Sequence, residues 1–218
     1  AMKTSGWLIL SALILVSGLA AGQDRGLRVQ RILGEDASIP NYHAFVIGIN
    51  RYKYWPDLRQ AHSDAEKVAA ILKSDYGFKD VTTLFDEEAS LAALQNSLRH
   101  LTRTLTRNDA LLIYYAGHGY FDKMLKEGYW VPSDARETID KEPALVDWFA
   151  TDSLKSYLDV MPARHILIVS DSCFSGAMMR GGRIELESKE NEWYRRAISQ
   201  PARWGIASGD LETVPDQS

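Results

Sequence analysis

The sequence has almost no cysteine: Cys173 is the only one among 218 residues. A single thiol excludes a disulfide within the chain, and it excludes every zinc site that needs two or more thiolates. The five histidines are scattered rather than grouped at ligand spacing, so we expect neither a metal ion nor another cofactor. A lone cysteine is often a small buried hydrophobic residue, and that alternative is open until the neighbours of Cys173 are considered.

The chain also lacks a strong charge of either sign. Its formal net charge is −4, from 25 Lys and Arg against 29 Asp and Glu. Because a nucleic-acid-binding surface shows clustered basic residues, we expect no nucleic acid among the partners. A composition of 45% hydrophobic and 25% charged residues is ordinary for one globular domain with a core.

Long apolar runs are missing except near the N-terminus. Lys3 precedes an apolar run over residues 7–21, which is short for a membrane span and ends in small residues. This pattern predicts a signal peptide over residues 1–22 and an exported protein, periplasmic or secreted, with no stable membrane insertion after its removal. A retained N-terminal membrane anchor is the alternative. Residues 23–40 predict a polar lead-in segment, and residues 41–218 one catalytic domain.

Apolar runs alternate with helical patterns through this domain. Short apolar runs, several of them apolar on both faces, predict strands over residues 44–49, 81–85, 110–116, 165–170 and 204–208. Apolar spacings of three and four residues predict helices over residues 58–72, 91–105 and 151–159, with Ser90 as the N-cap of the second. The rest of residues 117–162 is predicted to be irregular. The alternation predicts an α/β fold with a mostly parallel sheet covered by helices on both sides.

Polar residues of an unusual kind follow two of the predicted strands. Gly-His-Gly stands at residues 117–119 after the third strand, and Asp-Ser-Cys stands at residues 171–173 after the fourth. Parallel sheets bind ligands beyond the carboxyl ends of their strands, so we expect both segments to meet there. Catalysis by a thiol requires a nearby base and backbone N–H donors for the oxyanion, and small neighbours allow such an approach.

These segments resemble those of the caspase, metacaspase and paracaspase group of cysteine peptidases, in its bacterial branch. The likeness is carried by Gly-His-Gly at residues 117–119 and Asp-Ser-Cys-Phe-Ser-Gly at residues 171–176. It extends to Leu-Arg-Gln-Ala-His-Ser-Asp-Ala at residues 58–65 and to Gly-Tyr-Trp-Val-Pro-Ser-Asp-Ala at residues 128–135. The resemblance covers the chain from about residue 42 onward. It implies a caspase-like three-layer α-β-α sandwich.

The resemblance also implies the roles of the site residues in a cysteine endopeptidase that acts on proteins or peptides. Cys173 is implied to be the nucleophile, and His118 the general base and then acid. The backbone N–H groups of Gly119 and Cys173 are implied to form the oxyanion hole. A core histidine satisfied by backbone groups is the alternative for His118. The other histidines are expected to be solvated or to pack against neighbours, namely His43, His62, His100 and His165.

The resemblance implies that two carboxylates determine the P1 specificity. Metacaspases carry Asp two residues before the nucleophile, where it binds a basic P1 residue, so Asp171 is implied to do the same. Asp64 matches a second pocket acid of that branch. Two carboxylates that face one pocket repel each other and favour a cation, so we predict cleavage after Arg or Lys. Alternatively, Asp171 caps a turn, Asp64 is solvated, and the P1 preference is different.

Some features of the sequence differ from those of metacaspases. Ala116 stands where they often carry a pocket Ser, and their acidic calcium clusters are not recognisable, so we expect no calcium requirement. Family members often carry a processing loop where residues 178–203 lie. This resemblance implies self-cleavage within that segment, against the alternative of an ordinary surface loop, at Arg180, Arg183, Lys189, Arg195 or Arg196.

The family normally continues beyond the Ile-Ala-Ser-Gly-Asp at residues 206–210 with another helix and strand. The resemblance therefore implies association with a missing C-terminal segment, or a homodimer, as the way to complete the cleft. A catalytically silent binding or scaffold module is the alternative from another functional class.

Overall fold

The computed structural model describes residues 40–172 and 201–207 of the chain. In this part the strands are, in chain order, β1 (Asn41–Gly48), β2 (Asp80–Phe85), β3 (Asp109–Ala116), β4 (Gly119–Asp122), β5 (Glu127–Trp130), β6 (Thr138–Ile139), β7 (Glu142–Pro143), β8 (Phe149–Ala150), β9 (His165–Asp171) and β10 (Ala202–Ala207). The helices are α1 (Ala61–Ser74), α2 (Leu91–Thr104) and α3 (Thr151–Val160). The predicted signal peptide over residues 1–22 and the lead-in up to residue 39 lie outside the described residues.

Five strands form one parallel sheet in the order β10-β9-β3-β1-β2. Its central strands are apolar on both faces because both faces are covered. In β1, Phe45 and Ile47 point to one cluster of buried side chains, whereas Ala44 and Val46 point to another. The predicted mostly parallel central sheet is therefore confirmed.

Helices cover both faces of this sheet and complete three layers. α1 packs on one face through its small and aliphatic residues, while α2 and α3 pack on the other through their leucines. Ser90 caps α2 as predicted, because its Oγ accepts a hydrogen bond from the Ala93 N–H at 3.2 Å. The predicted start of α1 at residue 58 is wrong: Leu58 lies in a loop, where its N–H donates to the Asn50 carbonyl at 2.8 Å.

The prediction that residues 117–162 are irregular outside one helix is also wrong. β4, β5 and β8 form a small antiparallel sheet, and β6 pairs with β7 in a hairpin. These strands have two to four residues each, which is too short for an alternating pattern to stand out in the sequence. The small sheet places Trp130 in the core, where its indole stacks on the Tyr115 ring at a centroid distance of 4.4 Å.

The order of the strands fixes where a ligand can bind. From β1 the chain moves to β2 on one side, whereas from β3 it moves to β9 on the other side. This reversal between β1 and β3 opens a crevice at their carboxyl ends, which is the usual ligand site of such sheets. No helix among the described residues is long and apolar enough to cross a membrane.

Candidate active site

His118 lies directly beyond the carboxyl end of β3, and its ring is held by a backbone carbonyl. Its Nε2 is 2.7 Å from the carbonyl oxygen of Pro56. Because a carbonyl only accepts hydrogen bonds, Nε2 must carry the proton. In the neutral imidazole the basic nitrogen is then Nδ1, and the Pro56 contact fixes both the tautomer and the ring orientation.

The loop that carries Pro56 is closed by Asn50, the second residue after β1. The Asn50 carbonyl accepts the Leu58 N–H at 2.8 Å, and its Oδ1 accepts the His62 N–H at 3.0 Å. Asn50 Nδ2 donates to the Arg59 carbonyl at 3.1 Å. The far end of the loop is thus tied to the backbone carbonyl and the side chain of Asn50, and Pro56 lies between these two ends.

A buried carboxylate anchors the same loop from β2. Asp86 Oδ1 accepts the Asn50 and Arg51 N–H groups at 2.8 and 3.0 Å, and Oδ2 lies 2.7 Å from His62 Nδ1. Burial by itself raises the pKa of Asp86, but the hydrogen bonds from His62, Arg51 and Asn50 outweigh it and the pKa is lowered. His62 also stacks on Phe85 at 4.6 Å, so its contacts are those of a structural residue.

Two buried phenols hold the backbone of His118. The His118 N–H donates to the Tyr52 hydroxyl at 2.7 Å, and the Tyr115 hydroxyl donates to the His118 carbonyl at 2.7 Å. The two hydroxyls also hydrogen-bond to each other, and burial raises the pKa of Tyr52 far above its usual range. We call Tyr52 and Tyr115 the tyrosine clamp. It fixes both backbone polar groups of the candidate base.

The tyrosine clamp explains the glycine before His118. A Cβ added to Gly117 would lie 2.6 Å from the Tyr52 hydroxyl oxygen and 2.8 Å from that of Tyr115. Carbon and oxygen atoms cannot approach so closely, and both rings are buried in the core. Only glycine therefore lets the two hydroxyls reach the backbone of His118.

Aromatic side chains surround the imidazole. The Tyr52 and Trp55 rings lie 4.7 and 5.4 Å from the His118 ring, and Trp148 packs edge-on against Trp55 at 5.5 Å. The Trp55 Nε1 is buried without a hydrogen-bond partner among the described residues. This surface limits the movement of the His118 side chain and shields one side of it from water.

The end of β9 lies beside the end of β3. Ala116 and Asp171 are partners in the register, and the Gly117 N–H points to the Asp171 carbonyl oxygen at 3.4 Å. The next residue, Ser172, is buried, with its Oγ 3.1 Å from that of Ser170. The chain segments of the two predicted catalytic residues therefore leave adjacent strands at one edge. Cys173 itself lies outside the described residues.

Trp130 links the two strand ends. Its Nε1 donates to the Ser170 Oγ at 3.0 Å, and its ring lies nearly parallel to that of Tyr115, at an angle of 7°. One buried side chain thus supports the tyrosine clamp on β3 and the Ser170–Ser172 pair on β9. This arrangement fixes the spacing between His118 and the residue that precedes Cys173.

The predicted oxyanion donor Gly119 opens β4 at an edge of the small sheet. The Val131 N–H donates to the His118 carbonyl at 3.0 Å, and Gly119 pairs with Trp130 in the next position of the ladder. Hydrogen-bonded and non-bonded pairs alternate in antiparallel ladders, so the Gly119 N–H points away from β5. Its direction is compatible with donation to a bound carbonyl group.

The two predicted pocket acids lie on the same face of the sheet. Asp171 is exposed at the end of β9, and Asp64 lies in the first turn of α1, where it pairs with Lys67 at 3.0 Å. The charges of both act on Tyr114 of β3. Burial, and then the charges of Asp171 and Asp64, raise the pKa of Tyr114 to about 12.

The remaining predicted sites fall outside the described part of the chain. These are the five candidate positions of self-cleavage, namely Arg180, Arg183, Lys189, Arg195 and Arg196. His43 bridges Asp80 and Asp109 at the opposite end of the sheet, at 3.3 and 3.2 Å, and His100 is exposed on α2.

Sequence reasoning missed the residues that hold the site together. Tyr52 and Pro56 contact His118 across more than 60 residues of sequence, Trp130 reaches Ser170 across 40, and Tyr115 contacts the His118 carbonyl from three residues before it. One signal was available, because a buried tyrosine needs a partner for its hydroxyl, and Tyr115 stands in a largely apolar strand. The contact of Pro56 had no such signal, since a backbone carbonyl acts independently of residue type.

Comparisons with known proteins agree with this fold. A family model described as the caspase domain matches residues 41–213. Among solved structures, the crystal structure of protein GSU0716 from Geobacter sulfurreducens superimposes with a TM-score of 0.50 at 27% sequence identity. The match covers 63% of this chain and 52% of that one, so the chain spans about half the length of that protein. No curated protein matches the chain.

Proposed function

The chain belongs to the caspase-domain family, and from this premise we propose that it is a cysteine endopeptidase that cleaves after Arg or Lys. Cys173 is the nucleophile and His118 is the base. The observation that carries the proposal is the 2.7 Å contact of His118 Nε2 with the Pro56 carbonyl, at the strand end beside the one that leads to Cys173. This contact leaves Nδ1 as the proton acceptor of the neutral ring.

In the proposed reaction, His118 accepts a proton from the thiol and later gives a proton to the leaving amine. His118 Nδ1 takes the thiol proton as the Cys173 sulfur attacks the scissile carbonyl, and the imidazolium formed keeps its Nε2–H on Pro56. The oxyanion binds the N–H groups of Gly119 and Cys173. His118 then protonates the leaving amine, and the thioester remains. Water, deprotonated by the same ring, attacks the thioester and releases the acid and the thiol.

The preference for a basic P1 residue rests on the two carboxylates near Tyr114. Asp171 and Asp64 lie on the same side of the sheet, and after burial the charges of both contribute to the raised pKa of the Tyr114 phenol. The Asp64–Lys67 pair is a solvent-exposed ion pair of adjacent helical turns, which is worth less than about 1 kcal/mol. A P1 guanidinium can therefore displace Lys67 at little cost.

A peptide library with each amino acid fixed in turn at P1 tests this function. We expect the wild-type protein to cleave only the Arg and Lys pools, and the Cys173→Ala variant to cleave none. Cleavage of acidic or other pools would favour a related peptidase with a different pocket. No cleavage by the wild type, together with no labelling of Cys173 by an arginyl chloromethylketone, would favour a silent binding module.

Replacing Asp171 with Asn is expected to weaken the reaction of basic substrates selectively. The amide keeps the shape of the side chain but removes its charge. Because a hydrogen bond to a charged group is stronger than one to a neutral group, we expect kcat/KM to fall about 10- to 100-fold. The loss should lie mainly in KM. Asp75→Asn, at the far end of α1, changes the net charge equally and should leave both constants unchanged. Equal kinetics of the two variants would contradict the assignment of Asp171.

We also propose that the enzyme cleaves itself between residues 178 and 203. Purified wild-type protein should show discrete fragments on a denaturing gel, with new N-termini after one of the five basic residues. The Cys173→Ala variant should stay intact under the same conditions. Fragments of the same size in both samples would assign the cleavage to another protease, and no fragments in either would remove self-processing from the proposal.

The location and the partners of the enzyme are separate proposals that rest on the sequence. We propose that residues 1–22 direct the protein out of the cytoplasm and that its partners are protein or peptide substrates. A second copy or a further C-terminal segment is proposed to complete the substrate cleft.

A further inference from the structure

Tyr114 is a polar residue in the apolar face between β3 and α1. Its ring packs in one cluster with Ala65, Ala69 and Ala116, and only 9% of the residue is exposed. Tyr114 and Ala116 are two residues apart on one strand, so their side chains share a face. Tyr114 therefore lies about 6.6 Å further from the strand end than Ala116, measured along β3.

The carboxylates of the proposed P1 pocket lie close to this position. Asp171 is the register partner of Ala116 on β9, and Asp64 precedes Ala65, which packs in the same cluster as Tyr114. The electrostatic influence of both acids on the phenol agrees with this placement. Ala116 contributes only a methyl group, so Tyr114 supplies the polar atom of β3 on this face.

The hydroxyl of Tyr114 is available for a ligand. Within residues 40–172 and 201–207 it makes no hydrogen bond, yet it is not one of the buried polar atoms that lack a partner, which are Trp55 Nε1 and Ser133 Oγ. The ring is thus buried while its oxygen reaches solvent. Because the pKa is raised, the phenol stays neutral at assay pH and can both accept and donate a hydrogen bond.

We propose that Tyr114 is the floor of the P1 pocket between Asp64 and Asp171, and that its hydroxyl makes the pocket prefer Arg over Lys. This inference rests on the proposed peptidase function. The guanidinium of Arg reaches one atom further than the ammonium of Lys and carries five N–H donors in a plane. It can donate to both carboxylates and to the phenol oxygen together. The shorter ammonium of Lys satisfies the carboxylates nearer the pocket entrance.

Two fluorogenic peptides that differ only in P1, Arg in one and Lys in the other, test this inference. In Tyr114→Phe we expect kcat/KM to fall about tenfold for the Arg peptide and by no more than about twofold for the Lys peptide. The variant removes one solvent-accessible oxygen, so the ring packing and the melting temperature should be kept. Tyr42→Phe, on an exposed tyrosine of β1, is the matched control and should leave the ratio unchanged.

A second measurement does not depend on turnover. Peptides that end in Arg or Lys at P1 are product analogues. Their affinity for the single variant Cys173→Ala can be compared with their affinity for a double variant that carries both Cys173→Ala and Tyr114→Phe. Loss of affinity for the Arg peptide alone supports the inference. An unchanged Arg-to-Lys ratio in both assays, with the wild type active on basic peptides, overturns it and leaves the proposed function intact. A wild type that neither cleaves nor binds basic peptides overturns both.

Discussion

Replacing His118 with Ala is expected to lower kcat/KM for an arginyl peptide by about three to four orders of magnitude. In the proposed mechanism, the variant removes the group that takes the proton from Cys173 and gives it to the leaving amine. It leaves Tyr52, Tyr115 and Gly117 in place, and a smaller side chain at the strand end does not disturb the core. The melting temperature should therefore change little. His100→Ala, on the exposed face of α2, is the matched control and should retain full activity.

The single cysteine allows the same variant to be examined without a substrate. Since Cys173 is the only thiol of the chain, the rate of alkylation by iodoacetamide reports on one site. The thiolate is the reactive form, and a neighbouring imidazole promotes it, so alkylation in His118→Ala should be slower by at least about tenfold at neutral pH. Equal alkylation rates in the wild type, His118→Ala and His100→Ala would show that His118 does not act on Cys173, and the proposed dyad would be wrong.

Much of the architecture could be predicted because it depends on patterns that are local in the sequence. The residues before His118 are mostly apolar on both faces, which is typical of a buried strand and of few other structures. Ser90 is recognisable as an N-cap from its position before a stripe of leucines. The rule for parallel sheets predicted that the two proposed catalytic segments lie at one edge, and the adjacency of β3 and β9 agrees with this prediction.

The supports of the site could not be predicted because they arise from tertiary contacts. Tyr52 and His118 are 66 residues apart, and their hydrogen bond depends on a loop whose course is set by Asn50 and Asp86. The short strands β4, β5 and β8 carry no pattern of their own, yet they place Trp130 between β3 and β9. Such contacts become visible only when the distances between side chains are known.

Gly117 offers the sharpest test of the tyrosine clamp. The sequence suggests that glycine allows a substrate to approach, whereas the structure adds a second reason, the two hydroxyl oxygens that occupy the place of a Cβ. If the clamp positions His118, a methyl group at this residue must move the phenols or the backbone of the base. If the clamp merely fills space, the same methyl group should cost stability without changing turnover.

Gly117→Ala is accordingly expected to lower kcat by about 100-fold or more while KM changes little, because a displacement of about 1 Å at a catalytic group has an effect of this size. Overpacking should also cost about 1–3 kcal/mol of unfolding free energy. Gly77→Ala is the matched control: its φ of +67° makes alanine similarly unfavourable, no atom lies within 4 Å of the added Cβ, and it lies at the opposite end of the sheet. Tyr52→Phe, which removes the acceptor of the His118 N–H, should lower kcat in the same direction. A Gly117→Ala variant that loses as much stability as Gly77→Ala but keeps the wild-type kcat would show that the clamp does not position the base.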